Sequence, residues 1–222
     1  MMTRMTAITG LALLAACGSA SVAERDAAAQ TRAASKPLTI AGVRIGMSTS
    51  EVQATLAREG WKVETFPGRD WTTTVEEERR RQRHASSFDL PRRGIETIQA
   101  NKGAETLIVS MRPVATGAAV KHVAYEAPMG GRSAEQLRSQ MVQRYGKPDV
   151  SAATQVPPDM TWCSGGERCR MAPGAMKQAL SVKEDVYHKL QMHLFEGVDT
   201  DRAWQADVQR AAAGGTPAKA SF

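Results

Sequence analysis

Three cysteines, four histidines and 5% aromatic side chains are few for 222 residues, and each shortage closes off a class of activity. The histidines (His84, His122, His188, His193) lack the companion serine, cysteine or carboxylate pattern of a hydrolase, so each reads as a surface or structural residue. There is no Gly-x-Ser-x-Gly, no His-Glu-x-x-His and no phosphate-binding glycine loop. Sparse aromatics leave the core to Leu, Ile, Val, Met and Ala. No stripe interleaves basic with aromatic residues, which argues against nucleic acid as a partner. Long apolar runs are missing too. The stretch from Ile8 to Ala16 falls well short of the roughly 20 residues a membrane-spanning helix needs.

That short stretch instead has the form of a secretory signal, with Arg4 as its positive start and an Ile- and Leu-rich centre. It ends in Leu14-Ala15-Ala16-Cys17, which resembles a bacterial lipobox. The resemblance implies that residues 1–16 are a lipoprotein signal peptide and that Cys17 is acylated and becomes the new first residue. Gly18, rather than aspartate, follows Cys17, and the sorting logic of such proteins then implies the outer membrane, facing the periplasm. Loss of residues 1–16 removes Arg4 and no acid, leaving 206 residues with 28 basic and 23 acidic side chains, a net charge of +5. So mild an excess suits a solvated surface or an anionic envelope component.

Residues 17–36 are small, polar and Ala-rich and read as a flexible tether, while 214–222 reads as a disordered tail. Between them the pattern predicts two units, 37–128 and 129–213. Leu38, Ile40, Val43 and Ile45 suggest a short strand. Ser48 to Glu51 forms a capping box that opens a helix with Val52 and Leu56 on one face, closed by Gly60. Trp61, Val63 and Thr65 alternate as a strand. Ser133 to Gln136 repeats the capping box at an offset of 85 residues, followed by Leu137, Met141 and Tyr145, then Gly146.

Strands are predicted over 95–100 and 105–112, around an Asn101-Lys102-Gly103 turn, and over 120–126. In the second unit, 179–183 and 189–195 alternate around Glu184-Asp185, with Leu190, Met192 and Leu194 on one face. A final helix, capped by Asp199 or Thr200, carries Trp204, Val208 and Ala212. The expectation is α+β: two helix-plus-antiparallel-sheet units, or αββ repeats, with a C-terminal helix.

Gly46-Met47-Ser48-Thr49-Ser50-Glu51-Val52 resembles the Gly-Met-Ser/Thr-x-x-Gln/Glu-Val stretch that opens the first helix of the SmpA/OmlA (BamE-like) outer-membrane lipoproteins. Tyr145-Gly146-Lys147-Pro148 is similar to that family's helix ending, although here it lies in the second unit. The resemblance implies an αββ unit that, duplicated, gives a fold similar to β-lactamase inhibitor proteins. This chain is about twice the length of the single-unit members and adds a charged insertion over 67–93. Architecture follows from such a likeness more readily than role does.

Cys163 and Cys169 flank Ser-Gly-Gly-Glu-Arg, and in an oxidising compartment such a pair reads as a disulfide. Five intervening residues are too many for a Cys-x-x-Cys redox pair. A zinc site would have to borrow His188 and His193, whose odd spacing on a strand sends them to opposite faces. Neither metal nor cofactor is expected.

Glu76-Glu77-Glu78-Arg79-Arg80-Arg81 is the strongest charge pattern, with Glu76 to Arg80 and Glu77 to Arg81 as helical pairs and Thr73 or Thr74 as the cap. It reads either as a solvated helical insertion or as a docking surface in which Arg79, Arg80 and Arg81 meet an envelope protein. The functional expectation is a non-enzymatic, membrane-anchored protein-binding or envelope-assembly module. The rival is a binding module for peptidoglycan or lipopolysaccharide, and a periplasmic hydrolase comes last.

Overall fold

The computed structural model describes residues 38–151, 160–164, 178–185 and 187–214, all within one compact unit. Cys17, Cys169 and the expected signal peptide, tether and tail at 215–222 lie outside the described residues.

The chain is α+β. Its elements are α1 (Thr49–Arg58), β1 (Lys62–Gly68), α2 (Trp71–Gln82), β2 (Gly94–Lys102), β3 (Glu105–Val114), β4 (Gly117–Pro128), α3 (Ala134–Tyr145), β5 (Val150–Ser151), β6 (Met160–Ser164), β7 (Gln178–Glu184), β8 (Lys189–Glu196) and α4 (Val198–Ala212). The eight strands form one antiparallel sheet in the order β1-β2-β3-β4-β8-β7-β6-β5. Each half of that order is a four-strand meander that follows a helix, and the last strands of the two meanders, β4 and β8, pair at the centre.

Register explains why α1 and α3 share one face of the sheet. Val63, Ala100, Leu107, Tyr125, Met192, Val182 and Met160 are successive cross-strand partners from β1 to β6. The next row on the same face runs through Ile98, Val109, Val123, Leu194, Leu180 and Trp162. Val52 and Leu56 of α1 and Leu137 and Met141 of α3 complete this core. Both helices start as their capping boxes predict. Ser48 accepts from the Glu51 amide while the Ser48 amide donates to Glu51 at 2.7 Å, and Ser133 and Gln136 repeat the exchange. Gly60, at φ 79°, lets the chain turn out of α1, and the Trp61 amide closes the helix end on Leu56 O at 3.0 Å.

The backbone departs from the sequence pattern in several places. Residues 38–45 are not a strand: Ile40 and Val43 exchange backbone hydrogen bonds of 3.0 and 2.8 Å across Ala41-Gly42. Both central residues have positive φ (48° and 74°), so this is a tight reversal that buries Leu38, Ile40, Val43 and Ile45 without extended pairing. The cap of α2 is Asp70, not Thr73 or Thr74; its carboxylate accepts from the Thr73 amide at 2.8 Å. The N-cap of α4 is Gly197, which has no side chain to cap the helix; Asp199 pairs with Arg202 instead, and the Thr200 amide bonds Gly197 O. Ala211 rather than Ala212 is the buried alanine of its last turn.

Residues 67–93 hold a helix that docks within the fold. The excursion leaves β1 at Gly68 and returns at its sheet partner Gly94, and α2 packs on α4 and on β3. No helix among the described residues is long and apolar enough to cross a membrane.

Candidate functional site: a cleft between the two covering helices

The two halves of the sheet carry one covering helix each, and the space between those helices is a cleft of about 600 Å³. Its floor is apolar, built from Leu190 and Met192 of β8 and Met141 of α3. One wall comes from the end of α1 and the tip of the β2–β3 hairpin: Glu59, Trp61, Lys102 and Glu105. The opposite wall comes from Arg132, just before α3, and from Gln140, Arg144 and Tyr145 on it. The reversal at 39–42 closes one end, and Tyr125 rises from the centre of the sheet.

Ring contacts and hydrogen bonds hold most of the polar and aromatic side chains in place. Trp61 meets the Tyr125 ring edge-on, with centroids 6.4 Å apart, and Lys102 Nζ sits 6.0 Å over the Trp61 ring. Lys102 also donates to Glu59 O at 2.8 Å. Tyr125 donates to Glu105 Oε2 at 3.0 Å, and Tyr145 donates to Thr39 O at 2.8 Å, which ties α3 to the reversal. Arg132 donates to Met129 O, Pro128 O and Gln140 Oε1, and Arg144 lies 5.3 Å over the Tyr145 ring.

Burial, then the Glu105 carboxylate, pushes the Tyr125 hydroxyl far above the usual phenol range; burial raises Tyr145 as well. Both therefore stay protonated and act as hydrogen-bond donors rather than as bases or nucleophiles. No serine, cysteine or histidine lines the cleft among the described residues. The groups that face it can bind charge and stack on rings, which is recognition chemistry.

The residues singled out in the sequence lie elsewhere. Arg79 donates from Nε to Ala212 O at 3.1 Å and from Nη2 to Ala211 O at 3.2 Å, fastening α2 to the end of α4. Arg80 binds Glu76 at 3.3 Å and Asp89 at 2.6 Å. Arg81 does not pair with Glu77; it grips the buried Glu78 at 2.7 and 2.8 Å, and Glu77 pairs with Arg69. Cys163, on β6, is disulfide-bonded and its amide donates to Asp149 at 2.8 Å, while its expected partner Cys169 lies outside the described residues.

His188 is in the β7–β8 turn beside Glu184, at 2.7 Å, rather than on a strand. His193 stacks on His122 across β4 and β8, with centroids 5.5 Å apart and an Nε2–Nδ1 distance of 3.3 Å. No cluster of three or more His, Cys, Asp or Glu side chains that could hold a metal occurs among the described residues. A second feature missed in the sequence is Arg112, which is 2% exposed, pairs with Glu196 and lies 5.6 Å over Trp204. It joins β3 to the β8–α4 corner.

The cleft residues come from seven separate stretches of chain, so no linear motif announces them. Trp61 and Tyr145 flank the glycines that end the two helices, Gly60 and Gly146, and this symmetry was the one available signal. No family model matches this chain, and no curated protein or solved structure matches it either.

Proposed function

We propose that this chain is a non-enzymatic binding module of the bacterial envelope, anchored through acylated Cys17 at the outer membrane and facing the periplasm, whose cleft takes an envelope ligand such as a fragment of peptidoglycan or lipopolysaccharide. The observation that carries this reading is the cleft itself: an apolar floor with cations, carboxylates and protonated phenols around it. The lipobox ending at Cys17 supplies the address. The resemblance to SmpA/OmlA lipoproteins fits the same picture, and a duplicated αββ ancestor is supported by two capped helices 85 residues apart, each followed by a strand meander. A Cys163–Cys169 disulfide belongs with the oxidising location.

The protein-docking reading of Arg79, Arg80 and Arg81 is less well supported, because all three guanidinium groups are engaged within the fold. The test places a photo-crosslinking residue at Gln140 in the cleft, and at Ile108 on the opposite sheet face as control, in the full-length protein in cells. A glycan- or lipid-sized adduct at Gln140 and none at Ile108 is expected. A protein-sized adduct at Gln140 would transfer the site to assembly, and none at all would overturn the cleft reading. Cys17→Ser should move the folded protein from the membrane fraction to the soluble one; retention in outer membranes would refute the anchor.

A further inference from the structure

The cleft is electrically bipolar, and we infer that it recognises a zwitterion: a group carrying an ammonium and a carboxylate, as an amino acid or a short peptide with free ends does. This rests on the cleft being a binding site.

The basic wall is built on α3. Gln140 and Arg144 lie one turn apart and share a helix face. Arg132 reaches Gln140 Oε1 from Nη1 at 3.4 Å, which brings it to that same face. Its Nε and Nη2 are spent on backbone carbonyls at 2.7 and 3.2 Å, so the guanidinium is oriented without being neutralised. Neither Arg132 nor Arg144 has a carboxylate in ion-pair contact among the described residues. Two unneutralised guanidinium groups on a wall are a carboxylate site in waiting.

The opposite wall is acidic. Glu59 is the C-cap residue of α1, where the helix's last carbonyls add partial negative charge to its carboxylate. Glu105 stands at the hairpin tip. Lys102 lies between them, tied to Glu59 O and laid over Trp61, and it offsets one of the two carboxylates. What remains is one net negative charge, facing two positive charges across an apolar floor.

A simple anion in this space would also face Glu59 and Glu105, and a simple cation would face Arg132 and Arg144. Only a ligand with both signs meets complementary charge at each end, and repulsion of the wrong charge gives specificity. The floor of Leu190, Met192 and Met141 accepts the aliphatic part between the charges. Free peptide ends and a branching amino-acid side chain share this chemistry.

Calorimetric titration of the full-length protein in lipid nanodiscs tests it, with leucyl-leucine, its N-acetyl form and its C-terminal amide as probes. The free dipeptide is expected to bind, and each blocked form to bind roughly tenfold more weakly or worse, as loss of a charged hydrogen bond implies. Arg144→Gln should bind the amide and the free acid alike, and Glu105→Gln should do so for the acetylated and free forms. Equal binding of all three probes to the unsubstituted protein, or tighter binding of either blocked form, would overturn the inference. Failure of all three to bind, while Gln140 still forms an adduct in cells, would also overturn it and leave the cleft reading intact.

Discussion

His122 and His193 stack on the sheet face opposite the cleft, on the two central strands, where no sequence pattern placed them together. Their registers explain the meeting: His122 pairs with Phe195 and His193 with Ala124, so the imidazoles are diagonal neighbours across β4 and β8. Burial holds both below the usual histidine value, helped by each other's proximity and Lys121 for His122, and by Lys183 for His193. A lowered folded value means that the unfolded chain takes up protons first as pH falls. The stability at stake is present above the unfolded value of about 6.5 and is lost as pH drops below it. The unfolding temperature should therefore fall between about pH 7.5 and 5.5, and a His122→Gln/His193→Gln variant should show a flatter slope over that window. Identical slopes would mean that the pair is no more costly to charge in the fold than outside it. Core residues such as Val52, Leu56, Leu137 and Met141 were legible one by one because helical spacing marks them. Tyr125 was not: its place at the cleft follows from a register that spans β1 to β8.

At the scale of elements, both capping boxes and the 101–103 turn were legible because each is a local exchange between residues a few positions apart. The 67–93 insertion was legible as a charged helix but not as a docked one, since α2 meets α4 from the far end of the chain. Arg79 carries that tie: its guanidinium closes the last carbonyls of α4, whose negative end favours a cation by up to about 1 kcal/mol at a partly exposed site. For a protein of this size such a loss lowers the unfolding temperature by roughly 2–4 °C. Arg79→Ala should show that drop in a thermal melt, and Arg80→Ala, whose partners Glu76 and Asp89 lie within the same excursion, a smaller one. Equal shifts would mean that Arg79 does not fasten the helices. Sequence alone does not single out Asp70 as the α2 cap, because Thr73 and Thr74 offer the same capping chemistry, and only the backbone at Asp70, extended at φ −83° and ψ 178°, decides between them.

Over the whole molecule, one sheet joins what the sequence divided into two units. The predicted α+β class and most strands followed from alternation, but alternation cannot say which strands become neighbours. The pairing of β4 with β8 sets α1 and α3 side by side over a common face, and the cleft is the gap between them. That gap is a property of topology, with a lining drawn from residues up to 153 positions apart (Thr39 to Met192). Under the proposed function, this gap is where the protein binds its ligand. Methionine-methyl NMR of the full-length protein tests it, with muramidase-released peptidoglycan fragments and deacylated lipopolysaccharide added separately. At least one of them is expected to shift the Met141 and Met192 methyls, which line the cleft, and to leave Met111 and Met160, buried in the core outside the cleft lining, unmoved. Unmoved Met141 and Met192 signals with both additions would contradict it.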